Sequence, residues 1–267
     1  MSARRESRRE HWDRFWGAQP VEAVYEAVGA PHAELLRHLP PGAPRVLEVG
    51  AGSGRDSLRL AACGARVTVL DYSEAALAAS ARALAAAPPA TGSLRLLRGD
   101  ALALPLANGS LDAVFHQGLL EHFRTPAALL AENYRVLRPG GLLLVDVPQR
   151  WHFYTPAKRL LIALDRWFAG WECSFSPREL EGLLRAQGFE LLATYGAWPE
   201  PGLVYRALRR AAARLGLALP MHPPPLPLLG QLANALKRWA RYRRAGHYTA
   251  MVIGCVARRP APDGPRP

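Results

Sequence analysis

The chain has 267 residues, 49% hydrophobic and 21% charged, enough to bury a large core. Its net charge of +12 is regional, because residues 200–267 carry 12 Lys/Arg against 2 Asp/Glu while residues 1–199 are close to balance. Three scattered cysteines exclude a disulfide frame and no Cys/His spacing marks a metal site. No apolar run reaches the ~18–20 residues of a membrane span, and the charged start MSARRESRREHW lacks a signal-peptide core. The expectation is a cytoplasmic protein without a metal.

In chain order, residues 6–16 and about 20–38 read as helices, with a break at Ala30-Pro31. Trp12, Phe15, Trp16 and Tyr25 there either pack in the core or cover a ligand. Arg45–Val49 is a buried strand that runs into Gly50, Gly52 and Gly54 and then opens a helix over 54–63. Arg66–Leu70 is a second strand, ending in Asp71, and Ser73 caps a helix to Ala87. Strands follow at 94–97, ending at Gly99-Asp100, and at 111–116. Thr125-Pro126 starts a helix that stops at Arg138-Pro-Gly-Gly141. A fifth strand covers 142–147, and Thr155-Pro156 starts another helix. Ser176-Pro-Arg-Glu179 is a capping box for a helix to Gln187, Gly188 ends it, and strands follow at 189–195 and 247–257.

Short apolar strands alternating with helices predict a doubly wound α/β sheet. Two stretches interrupt the alternation, at 150–175 and 200–246. The first is rich in aromatics (Trp151, Phe153, Tyr154, Trp167, Phe168, Trp171), which suits a pocket wall or lid as well as plain packing. The second reads as two amphipathic helices. Arg206, Arg210 and Arg214 lie opposite Leu208, Ala211 and Leu215; Lys237, Arg241 and Arg244 lie opposite Leu229, Leu232, Leu236 and Trp239. One reading is a solvated basic face over a core-packed apolar face. Another is a site for anionic lipid or an acidic substrate. Nucleic acid is not expected, since no recognised RNA-binding module accompanies the charge.

The glycine turn exposes bare backbone to a ligand. Asp71 suits the two hydroxyls of a ribose and Asp100 an adenine amino group. Both acids follow strands whose carboxyl ends form the ligand edge of such sheets. Either acid alone also reads as a cap of its own turn. A dinucleotide site is disfavoured, because the spacing is Gly50-x-Gly52-x-Gly54 and Glu48 would repel a pyrophosphate.

Four blocks in order, VLEVGAGSGRDS, VTVLDYS, LLRGDALALPLANGSLDAVFHQGLLEHF and NYRVLRPGGLLLVDVP, resemble the class I S-adenosylmethionine-dependent methyltransferases of the type 11 group. The resemblance implies a Rossmann-like seven-stranded sheet in the order 3-2-1-4-5-7-6, with the last strand antiparallel and helical insertions added. It implies S-adenosyl-L-methionine as cofactor. Glu48 would face the methionine amino group, and Gly50, Ala51, Gly52 and Gly54 would let the backbone approach the amino-acid part. Asp71 and Tyr72 would sit at the ribose, Asp100 and Ala101 at the adenine, and Gln117 at the methyl end. Trp12 and Trp16 would close over the cofactor.

The expected organisation is a helical lid at 1–40, a cofactor-binding core at 41–199 carrying the aromatic insertion, a basic helical insertion at 200–246, a final core strand at 247–259, and a disordered tail at 260–267. The expected activity is O-, N- or C-methylation of a small molecule, with an apolar or membrane-associated acceptor in view. Peripheral contact with an anionic membrane would run through 203–244, at the inner face of the membrane. The alternatives are a cofactor-binding scaffold without turnover and, less favoured, an oxidoreductase. If the acceptor must lose a proton, His122 is the first candidate base, ahead of His116, Glu121, Asp146 and His152.

Overall fold

The computed structural model describes residues 6–18, 28, 31–223 and 227–261. Tyr25, most of the helix expected over 20–38 and residues 262–267 of the tail expected to be disordered lie outside them, as does the side chain of Leu229.

The sheet has seven strands: β1 (Arg45–Val49), β2 (Arg66–Asp71), β3 (Ser93–Arg98), β4 (Leu111–Gln117), β5 (Leu137–Pro148), β6 (Glu190–Ala197) and β7 (Val252–Arg258). Their order is β3-β2-β1-β4-β5-β7-β6, and β7 runs antiparallel to both neighbours. Helices α1 (Arg9–Gly17), α2 (Pro31–Leu36), α3 (Arg55–Ala62), α4 (Glu74–Ala86), α5 (Pro126–Val136), α6 (Tyr154–Ala163), α7 (Pro177–Ala186), α8 (Leu203–Arg214), α9 (Pro227–Ala240) and α10 (Arg244–Thr249) fill the connections.

Alternating side chains of the central strands feed two cores, one on each face. Val46, Ala113, Phe115 and Leu144 pack on Leu35 of α2 and Leu60 of α3. Leu47, Val49, Val114 and Leu143 pack on Leu129 and Leu130 of α5 and on Leu180 and Leu184 of α7. Burial on both faces is why these strands read as continuous apolar runs.

Local signals are satisfied physically. Ser73 Oγ accepts from Ala76 N at 3.2 Å. At α7, Glu179 N donates to Ser176 Oγ at 3.3 Å and Ser176 N donates to Glu179 Oε2 at 2.8 Å, closing the capping box.

Thr125 is the N-cap residue of α5 and Pro126 its first residue, as expected, with no side-chain cap bond. Three expectations need correction. Strand pairing in β5 begins at Leu137 rather than 142, because the Pro-Gly-Gly turn is tied to the end of β7 by Gly140 N donating to Arg259 O and Arg259 N to Gly141 O, both 2.8 Å. His247–Thr249 belong to α10 rather than to the last strand, held by His247 N donating to Arg243 O and Ala250 N to Gly246 O. Finally, the apolar faces of α8 and α9 are not core-packed. Leu208, Leu215, Leu232, Leu236 and Trp239 are exposed, and only Ala212 of α8 is buried.

Candidate active site

A cavity of about 800 Å³ opens at the carboxyl ends of β1, β2 and β4. Glu48, Gly50, Ala51, Gly52, Asp71, Tyr72, Asp100, Ala101, Gln117, His122, Trp12 and Trp16 all line it. Gly54 does not. Its φ of +63° lets it cap α3, and a Cβ there would lie 3.0 Å from Ser80 Oγ, so it serves the packing of α3 on α4.

The acids are held before any ligand arrives. Asp71 is buried at the end of β2 and accepts from Gly52 N at 3.0 Å and Ser73 N at 2.9 Å. Burial nevertheless raises its carboxyl above the ordinary range. The loop amides of Ser73, Gly52 and Tyr72 offset part of that penalty. Asp100 accepts from Leu102 N at 2.9 Å, so it caps its own turn while lining the cavity. Glu48 accepts from Ser57 Oγ at 2.5 Å; burial first, then the charge of Asp56, pushes it well above the usual carboxylate range. A cationic ammonium would reverse that penalty, whereas a phosphate would add to it.

Trp16 lies over the glycine turn. With Gly52 at φ +55°, a Cβ there would meet Trp16 Cζ2 at 2.3 Å. Helix α1 is fixed in this place by Ser73 Oγ donating to Asp13 Oδ1 at 2.6 Å. Its ring stack joins the aromatic insertion: Trp12 meets His122 edge-on at 4.9 Å and Phe168 at 5.8 Å, and Phe15 lies 5.0 Å from Phe168. Phe168 and Trp171 also line the cavity.

His122 stands in the short 3-10 turn Leu120–His122 after β4, with Nδ1 3.1 Å from Trp171 O. Burial lowers its pKa, so it rests neutral. His116, whose ring points into the core toward Asn133 Nδ2 at 3.1 Å, is pushed down to about 3 and lies outside the cavity lining. His152 also stands outside it. Glu121 lines the cavity; burial and the neighbouring Glu172 raise it. Asp146 lies behind the cavity wall. It accepts from Gln117 Nε2 at 2.9 Å and Tyr195 OH at 2.5 Å, and burial pushes it up to about 7.

Sequence reasoning passed over two members of this region. Lys158 of α6 is buried and donates to Glu172 Oε1 at 2.6 Å and Ser174 Oγ at 2.7 Å. Glu172 also accepts from Trp167 Nε1 at 2.9 Å and lines the cavity. A signal existed, because Lys158 is one of only two lysines among 34 basic residues.

The strand order, the glycine turn and the acids at adjacent strand ends define a Rossmann-like nucleoside-binding α/β protein. Residues 47–145 match the family described as "Methyltransferase domain". Over that stretch the chain is similar to S-adenosylmethionine-dependent methyltransferases, among them one so described from Mycolicibacterium smegmatis at 34% identity over 59% of this chain and 56% of that protein. It is 36% identical over 65% of its length to a malonyl-acyl-carrier-protein O-methyltransferase of Methylococcus capsulatus, covering 62% of that protein. It is 29% identical over 71% of its length to a ubiquinone biosynthesis O-methyltransferase of Xanthomonas axonopodis, covering 81% of that protein. Across the first of these and two further curated matches the chain spans 56%, 40% and 43% of their length, about half. In fold it resembles the 4+2 cyclase SpnF, with a TM-score of 0.60 at 20% identity over 94% of this chain and 92% of that one.

Proposed function

We propose that the chain methylates a small-molecule acceptor that carries an apolar portion, by in-line transfer to oxygen, nitrogen or carbon. The observation that carries this reading is the lining of one cavity, which joins Glu48, Asp71, Asp100 and the bare Gly50–Gly52 backbone to an aromatic group of Phe15, Phe168 and Trp171 beside His122.

The donor set fits the cofactor. Asp71 and Tyr72 would meet the ribose, Asp100 and Ala101 the adenine, Glu48 and the Gly50–Gly52 backbone the amino-acid end, and Gln117 the wall at the methyl end. Trp12 and Trp16 would close that side. S-adenosylmethionine, when bound, supplies an electrophilic methyl group on a sulfonium. What remains for the protein is alignment of the acceptor and exclusion of water. Phe15, Phe168 and Trp171 give an apolar acceptor a surface to displace water from. His122, neutral by burial, would take a proton from an O–H or N–H acceptor. The relatives named for acyl-carrier and quinone-precursor methylation support an acceptor with apolar character.

Calorimetry with S-adenosylmethionine, and with NAD as the contrast, tests this reading. Saturable binding of the first and not the second is expected; no binding of S-adenosylmethionine overturns it. A second reading, a cofactor-binding scaffold without methyl transfer, is favoured by one observation: the same fold is carried by a protein named as a cyclase. Formation of S-adenosylhomocysteine in the presence of extracted small molecules separates the two.

A further inference from the structure

We infer that helices α6, α8 and α9 form a docking surface for an anionic lipid bilayer, beside the cavity. The inference goes beyond the catalytic reading and does not depend on it.

Each of the three helices turns an apolar stripe outward at helical spacing. On α8 the stripe is Val204, Leu208, Ala211 and Leu215, with Val204 82% and Leu215 79% exposed. On α9 it is Leu232, Leu236 and Trp239, at 69%, 61% and 59%. On α6 and its entry it is Phe153, Ala157, Leu160 and Leu164, all exposed. Positions i, i+4 and i+7 share one helix face. Scattered exposed leucines are ordinary; three ordered stripes are not.

The charge on the polar faces of α8 and α9 has one sign. Residues 203–245 contain nine Lys/Arg and no Asp or Glu. Arg210, Arg214, Arg238 and Arg243 are exposed. Some cations are spent on tethers that seat the helices: Lys237 Nζ reaches Glu200 Oε1 at 2.9 Å and Arg206 Nε donates to Pro201 O at 2.9 Å, tying α8 and α9 to the same turn. Arg243 lies 4.3 Å from the Trp239 ring centre, pairing a cation with an interfacial aromatic.

This combination selects the occupant. A nucleic acid or a soluble anion would use the arginines and leave the leucines in water. A bilayer surface takes both, apolar side chains at the acyl boundary and cations at anionic headgroups. No helix of the described residues is long and apolar enough to cross a membrane, so the contact lies in the plane of the interface. Ring contacts run from the start of α6 to the cavity lining: Tyr154 lies 6.2 Å from Trp167, and Trp167 lies 5.0 Å from Phe168.

The test is co-sedimentation of the full chain with vesicles of phosphatidylglycerol and phosphatidylcholine in equal parts, against phosphatidylcholine alone. Binding to the anionic vesicles only, weakened by salt, is expected. Leu208→Asp with Leu232→Asp should abolish it, and Arg210→Gln with Arg214→Gln and Arg238→Gln should weaken it roughly a hundredfold, as three basic residues near an anionic surface would. None of these residues lines the cavity, so calorimetry with S-adenosylmethionine stays unchanged and reports separately on the catalytic reading. Failure to bind, equal binding to neutral vesicles, or full binding by the Leu208→Asp/Leu232→Asp variant overturns the inference. So does a dimer in sedimentation velocity that Leu208→Asp splits, which would assign the stripes to a second copy of the chain.

Discussion

Gln117 Nε2 donates to Asp146 Oδ2 at 2.9 Å, joining a cavity-lining amide to a carboxyl buried between β5 and β6. Tyr195 OH donates to the other carboxyl oxygen at 2.5 Å, and Arg241 lies 4.4 Å from the Tyr195 ring centre while bonding Glu34 at 3.0 Å. The cavity wall at Gln117 is thus braced by Asp146, Tyr195, Arg241 and Glu34, which lie outside the lining.

Asp146 sets a pH dependence of stability. Its folded pKa of about 7 stands above the unfolded value near 3.8, so the folded state binds the extra proton between them. Its contribution to stability is therefore fully present at low pH and is lost as pH rises through about 7. Asp146→Asn should remove that slope and raise the melting temperature at pH 8 by several degrees, at about 2–4 °C per kcal/mol for a chain of this size. Melting curves of the two proteins at pH 5 and pH 8 check this; parallel pH profiles would refute it.

Asp71→Ala should weaken S-adenosylmethionine binding by ~1.5–3 kcal/mol, the cost of losing charge-assisted hydrogen bonds. Asp71→Asn should fall between, since an amide still accepts from the Gly52 or Ser73 amide. Titration calorimetry gives both values, and an unchanged affinity in Asp71→Ala removes Asp71 from the site.

His122→Gln should leave S-adenosylmethionine affinity intact while lowering kcat by ~10²–10⁴ if it takes the acceptor proton. An acceptor that enters already deprotonated, or a tertiary amine, has no proton to lose, and kcat would then hold. Stopped-time assays for S-adenosylhomocysteine distinguish these outcomes once an acceptor is in hand.

Lys158→Met should destabilise the fold by ~3–5 kcal/mol, because Glu172 is left charged in a buried site. Adding Glu172→Gln should recover most of that loss. Urea unfolding of the single and double variants measures it, and a double variant no better than the single would show that the pair does not act as a unit.

The central sheet was legible because both of its faces are buried, so each strand is written as an apolar run with a glycine or acid at its end. Asp71 and Asp100 were legible for the same reason, since a polar residue closing such a run stands out. The buried pair of Lys158 and Glu172 was not, because the two lie 14 residues apart in a stretch without periodic pattern. The sequence leaves the outward direction of the stripes on α8 and α9 open between two readings for a different cause. Amphipathic spacing tells which residues share a face, but not whether a core lies on that side. Gly54 was misassigned because a glycine that touches a ligand and one that admits a neighbouring helix look alike in sequence.

Ser73 has three obligations at once. Its amide holds Asp71, its hydroxyl oxygen caps α4, and its hydroxyl proton fastens Asp13 of α1. Anything that steadies Asp71 therefore steadies the anchor of the covering helix, and detaching that helix loosens Asp71 by the same free energy. On the proposed function, loading at Asp71 and covering by α1 are coupled through a single serine.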